Sequence, residues 1–195
     1  MSGLRDPEMI LRRIETEAKE EHLPIIGPIR GLLLDEVVRK YKPRNALEVG
    51  TLVGYSAIRI ARLMPSYGRL TCIDVDGHIV ERAKRNIRLA GLEERVEVLT
   101  GDARKILPSL HLNLDMLFLD AEKTQYMEYL KASENMLHKG SVVVADNVKT
   151  YASRMVDYLN YVRKSENYRS NTKQAPDGIT PDPSGDAVEI SEKIK

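Results

Sequence analysis

The chain has 195 residues, 42% hydrophobic and 30% charged, enough to bury one core without covalent staples. Thirty Lys and Arg face twenty-nine Asp and Glu, a formal charge of +1 that excludes a global field for recruiting nucleic acid or an anionic membrane. A single cysteine, Cys72, excludes an internal disulfide, and with no apolar run of roughly eighteen residues and no signal-peptide core in MSGLRDPEMI, a cytoplasmic protein is expected.

From Pro7 to Glu21, Ile10, Leu11, Ile14 and Ala18 recur at helical spacing behind a first-turn proline and predict an amphipathic helix. A second helix is expected from about Pro28 to Tyr41, with Ile29, Leu32, Leu33 and Val37 on its apolar side. Residues 1–43 thus read as helices packing on the core of one domain that spans 1–195.

The stretch NALEVGTLVGYSA, Asn45 to Ala57, reads as a buried strand, a glycine turn and a helix start. Such a turn offers free backbone N–H groups and a helix dipole at the carboxyl end of a strand, the usual ligand crevice of an open α/β sheet. Gly50 and Gly54 do not have the G-x-G-x-x-G spacing, so a pyrophosphate is not the expected guest. The plain alternative is a connection that needs positive φ.

Strands are then expected at Arg69–Asp74, Val96–Thr100, Leu114–Leu119 and Ser141–Ala145. Helices alternate with them at Gly77–Ala90, Ala103–Leu107, Gln125–Met136 and Tyr151–Lys164. This alternation predicts an α/β fold with a doubly wound, mostly parallel sheet. After Tyr168 a polar, Pro- and Gly-containing stretch leads to a last strand, Ala187–Ile190, and two terminal strands joined in this way predict an antiparallel edge. The joining loop reads equally as an acceptor-site lid and as a plain hairpin tip.

Acids recur at the strand ends: Asp74, Asp102, Asp120 and Asp146, the last followed by Asn147. Neighbouring strands lie about 4.8 Å apart, so all these oxygens border one rim. Asp74, at the end of the second strand, sits where an acid can accept both hydroxyls of a ribose, the alternative being a cap on the following helix. Asp102 and Ala103 would then flank an adenine, although G-D-A is also a good helix start. Asp120, Asp146 and Asn147 form an all-oxygen set suited to Mg²⁺, against the alternative of capping plus a salt bridge to a lysine. Lys123 stands at a helix N-terminus, where the dipole opposes it, and beside a dication its amine could take a proton. His22, His78, His111 and His138 show no ligand spacing and read as surface residues.

The segments LEVGTLVGYSAIRIARL, TCIDVD, AGLEERVEVLTGDA, LDMLFLDAEKTQY, KGSVVVADNV and NYVR closely resemble the catechol O-methyltransferase family, including its caffeoyl-CoA O-methyltransferase relatives. The resemblance covers about Gly27 to Lys164 and Gly185 to Ile194. It implies a seven-stranded Rossmann-like methyltransferase sheet and S-adenosylmethionine in the crevice. Ile26 and Gly50 would lie by the methionine portion, with Glu48 and Ser56 also at cofactor positions. Asp74 would hold the ribose, and Val75, Asp102 and Ala103 would surround the adenine. Asp120, itself bordering the cofactor, would bind Mg²⁺ with Asp146 and Asn147, and Lys123 matches the general base.

The implied acceptor is a catechol-like small molecule, and the alternative is a tRNA base hydroxyl, for which Arg5, Arg12, Arg13, Lys19, Arg30, Arg39 and Lys40 supply basic residues. No membrane partner is expected, and a homodimer is left open. Two departures stand out. Ala121-Glu122 replaces the His-Trp pair of the mammalian enzymes, with Tyr151 as a substitute aromatic wall, and Asp182 is the candidate for the acid that meets the second acceptor hydroxyl.

Overall fold

In the computed structural model, which describes residues 5–175 and 185–195, the first strand, β1 (Asn45–Val49), lies parallel between β2 (Arg69–Asp74) and β4 (Leu114–Leu119). β3 (Val96–Thr100) extends the sheet beyond β2, and β5 (Leu137–Ala145) extends it beyond β4, again parallel. β7 (Asp186–Lys193) runs antiparallel to β5, and β6 (Tyr168–Ala175) runs antiparallel to β7. The order β3-β2-β1-β4-β5-β7-β6 is the expected doubly wound, mostly parallel sheet with an antiparallel edge. It reverses direction between β1 and β4, and the ligand crevice of such sheets opens at that point.

Alternation along the strands builds two cores. Ala46, Cys72, Phe118 and Val144 face α1 (Pro7–Glu21), α2 (Gly27–Tyr41), α3 (Tyr55–Leu63) and α4 (Gly77–Leu89). Leu47, Val49, Leu117 and Val143 face α5 (Ala103–Ile106), α6 (Tyr126–Ser133) and α7 (Val156–Lys164). Burial on both faces explains why these strands read as continuous apolar runs.

Element ends differ from the expectations where tight turns intervene. The helix expected over Gln125–Met136 is α6 flanked by 3-10 turns at Lys123–Gln125 and Glu134–Met136, and a 3-10 turn at Ala152–Arg154 precedes α7. β5 begins at Leu137 instead of Ser141, and β7 runs beyond Ala187–Ile190 at both ends. No helix of the described residues is long and apolar enough to cross a membrane.

The inward face of α2 corrects the sequence reading. Ile29 and Leu32 are 47% and 55% exposed, while Arg30, Gly31, Leu34, Asp35, Val37 and Val38 are buried. The helix turns its two charges inward because each has a charged partner there. Asp35 accepts Arg59 Nε at 3.0 Å and Arg62 Nη2 at 2.6 Å, and Arg30 reaches Asp146. Bidentate, charge-assisted bonds of this kind offset desolvation that a lone buried charge could not bear.

Candidate active site

The backbone ladders continue one residue past the strands. Gly50 N donates to Ile73 O at 2.9 Å, Asp120 N to Val49 O at 2.9 Å, and Asp146 N to Leu119 O at 3.0 Å. Gly50, Asp120 and Asp146 therefore stand side by side on one rim. Gly50 has φ +93°, and a Cβ built there would lie 2.6 Å from Asp120 O, so only glycine allows the turn to approach β4 this closely.

A cleft of about 390 Å³ opens over the tips of β1 and β2. Ile26, Gly50, Ser56, Asp74, Val75, Asp102, Ala103 and Asp120 all line it. Glu48 is fully buried behind it, accepts Thr51 Oγ1 at 2.7 Å, and has its carboxyl pushed up to about 7 by burial.

The turn is more closed than expected. Asp74 Oδ2 accepts the Thr51 and Leu52 N–H groups at 3.0 and 2.8 Å, so those donors are bound to the strand-end acid and not free. Leu52 adopts φ +45° in this turn. Gly54 precedes α3 as an N-cap with no side-chain cap, which leaves the first-turn N–H groups at the cleft-lining Tyr55 and Ser56. Asp102 caps α5 through Arg104 N at 2.9 Å and pairs with Arg104 Nη2 at 2.7 Å, so the helix-start alternative is realised in a residue that also lines the cleft.

A second cleft of about 390 Å³ lies beyond Asp120, bordered by Arg30, Lys123, Asn147, Tyr151, Arg154 and Asp186. The two clefts share Pro24, Ile25, Asp120, Ala121 and Glu122. Tyr151 borders the second cleft. Glu122 accepts Arg154 Nη2 at 2.8 Å. Asp182 lies outside the described residues.

Between the clefts, Lys123 Nζ donates to Asp120 Oδ1 at 2.8 Å and to Tyr126 Oη at 2.9 Å. Tyr126, fully buried, donates to the Asp146 carbonyl at 3.3 Å. Arg30 Nη2 donates to Asp146 Oδ2 at 3.0 Å, and its Nε lies 2.9 Å from Oδ1. Asn147, at φ +62°, donates Nδ2 to Asp186 Oδ2 at 2.9 Å. Asp186 Oδ1 also accepts Lys149 N at 3.2 Å and Thr150 N at 3.0 Å.

Burial raises the carboxyls of both Asp120 and Asp146. Lys123 works against the rise at Asp120, and the charge of Asp120 adds to it at Asp146. At Asp186 burial acts the same way, but the bonds from Thr150, Asn147 and Ala187 outweigh it and hold the carboxyl low.

These residues fit a hard divalent cation by donor chemistry. Asp120 and Asp146 are close, repelling carboxylates, and Asn147 commits its amide nitrogen to Asp186, which leaves its oxygen as the donor. Among the described residues no cluster of three or more His, Cys, Asp or Glu surrounds a cation position, so the set depends on that amide oxygen. The salt-bridge alternative is also present, since Lys123 holds Asp120, while the cation on Asp146 is Arg30.

Tyr126 and Asp186 are residues the sequence reading missed, and Arg30, read there as a basic residue for tRNA, is seated on Asp146. A charge in an amphipathic helix is read as solvated, and only the adjoining Gly31 hints at a crowded inward face. Asp186 was detectable, because an antiparallel strand begins at the rim where its parallel neighbours end. The tRNA alternative gains no support: Arg30 is buried on Asp146, and Arg13 bonds Asn86 at 2.6 Å and pairs with Glu17.

The order of the sheet, with a glycine turn and strand-tip acids at its reversal point, defines a Rossmann-like methyltransferase fold. Residues 6–176 match the O-methyltransferase family, and the chain belongs to it. It is 34% identical over 171 residues to a catechol O-methyltransferase of Mus musculus, covering 84% of this chain and 64% of that protein, so it spans less than two thirds of the relative's length. An O-methyltransferase from Bacillus cereus, solved with SAH, superposes with a TM-score of 0.83 at 25% identity over 95% of this chain and 90% of its own. The O-methyltransferase TomG from Streptomyces achromogenes, solved with SAM, gives 0.83 at 27% identity with the same coverage.

Proposed function

We propose that this chain transfers a methyl group from S-adenosylmethionine to one hydroxyl of a catechol-like acceptor, with Mg²⁺ held by Asp120, Asp146 and Asn147. The observation that carries the reading is the shared wall: a donor-sized cleft and a second cleft meet at Asp120–Glu122, with Lys123 beside the junction. The mouse relative is a catechol O-methyltransferase, and the two solved neighbours are complexes with SAH and SAM.

When bound, Mg²⁺ supplies Lewis-acid stabilisation of the ionising acceptor hydroxyl. Asp120 and Tyr126 aim Lys123 Nζ, and once its ammonium has released its own proton to solvent, the free amine takes the hydroxyl proton. In the transfer a C–O bond replaces a C–S bond, and the C–S electron pair stays on sulfur as a thioether. Alignment across the shared wall is the larger contribution, on the order of 7 to 11 kcal/mol, against perhaps 10²- to 10⁴-fold from proton removal. Tyr151 gives the acceptor ring an aromatic neighbour in place of the missing tryptophan.

Incubation with S-adenosylmethionine, catechol and Mg²⁺ should yield singly methylated catechol by mass spectrometry, lost in EDTA and regained with excess Mg²⁺. Undiminished turnover in EDTA refutes the cation's part, and no product across a panel of catechols refutes the acceptor class.

A further inference from the structure

Arg30 is the fourth residue of α2, close to the helix N-terminus where the dipole opposes a cation, yet it is only 5% exposed. Its guanidinium spans both oxygens of Asp146, at 3.0 and 2.9 Å, and Nη1 lies 4.0 Å from Asp186 Oδ2. The same helix end brings Pro24, Ile25 and Ile26 to the clefts. Three acids, Asp120, Asp146 and Asp186, meet two bases, Lys123 and Arg30, there.

From this arrangement we infer that Arg30 is a resident counter-charge of the cation site: it holds the Asp146 carboxylate in place while the site lacks a cation, and it weakens divalent-cation binding. The inference rests on the cation reading above. Whatever the protonation of its neighbours, Arg30 makes the cluster one charge more positive both before and after a dication enters. Entry is therefore opposed by a charge already paired to one of the ligands, and binding stays reversible. Arg30 is a positioning residue, since it acts through Asp146.

The test is calorimetric titration of Mg²⁺ into the full chain, with no acceptor and no turnover required. Arg30→Gln should bind Mg²⁺ about tenfold more tightly than wild type, or better, because an uncompensated buried acid is left waiting for a cation. Arg30→Lys keeps a charge but cannot set two nitrogens against the carboxylate as the guanidinium does, so its affinity should fall between the two, and it carries the test if Arg30→Gln does not fold. Arg62→Gln, which loosens the same helical layer through Asp35 without touching the rim acids, should bind like wild type. Equal or weaker binding by the Arg30 variants, or equal tightening by Arg62→Gln, overturns the inference. Wild-type protein that binds no Mg²⁺ sinks the cation reading itself, a different failure.

Discussion

Gly50 and Asp120 touch through their backbones: a Cβ on Gly50 would stand 2.6 Å from Asp120 O and 2.7 Å from its carbonyl carbon. The turn after β1 and the tip of β4 are thus one rigid unit, because neither neighbour is a flexible side chain that could swing aside. Gly50→Ala should weaken S-adenosylmethionine and Mg²⁺ together, each by about tenfold or more, given roughly 1–3 kcal/mol for such backbone strain. Paired titrations check this. Loss of one affinity with the other intact would show that the two sites are mechanically separate.

Lys123 is held by two partners, Asp120 and Tyr126. Lys123→Met should bind S-adenosylmethionine normally and lose about 10²- to 10⁴-fold in kcat. Tyr126→Phe removes one of the two bonds and should cost kcat several-fold, on the scale of roughly 1 kcal/mol for a buried hydrogen bond, with KM for the donor unchanged. Single-turnover kinetics separates the chemical step from binding. A normal rate for Lys123→Met removes the lysine from the chemistry.

The N-terminal helices are bolted on through Asp35, whose side chain is 2% exposed and accepts both Arg59 and Arg62. Asp35→Ala leaves Arg59, at 5% side-chain exposure, without its acid and leaves Arg62, at 9%, with Glu8 alone. Breaking a buried pair by removing one partner typically costs about 3–5 kcal/mol. Urea unfolding should show a loss of that size, and a loss below about 1 kcal/mol would mean that the apolar contacts of α1 and α2 suffice.

Below the sheet, His138 Nε2 lies 3.0 Å from Asp115 Oδ1, and Asp115 Oδ2 accepts the backbone N–H groups of Arg44 and Asn45. The Lys139 carbonyl and then Asp115 raise the imidazole above its ordinary value of 6.5. At Asp115 burial opposes ionisation, but the bonds from Asn45, His138 and Arg44 prevail and leave its carboxyl below 3.8. The His138 contribution to stability is complete below its unfolded value and fades as pH rises through the higher folded value. The Asp115 contribution is present above its unfolded value and fades in acid. Relative to His138→Gln, wild type should therefore be most favoured near pH 5 and lose that advantage by pH 9 in denaturant titrations. A difference that grows with pH contradicts the pairing.

Much of the rim was legible because a parallel sheet turns sequence position into spatial position. Asp74, Asp120 and Asp146 each terminate an apolar strand, so the pattern alone set them along one edge. Periodicity could not reveal what faces them. Ile29 and Leu32 look like the buried side of α2, yet ion pairs with residues 24 to 116 positions away turn Arg30 and Asp35 inward. Tyr126 reads as an ordinary core aromatic, and its hydroxyl partners appear only when Lys123 and Asp146 are brought together. Asp186 opens the antiparallel strand β7 at the rim, a position readable only once that strand is extended back from Ala187.

The central claim is a divalent cation between Asp120, Asp146 and Asn147 at the junction of the two clefts. Diffraction from crystals grown with SAH and Mn²⁺, collected at the manganese edge, tests it most directly. The account predicts one strong anomalous peak within coordination distance of all three side chains. No peak there with SAH bound and Mn²⁺ in excess, and Arg30 and Lys123 still seated on the two acids, would contradict it.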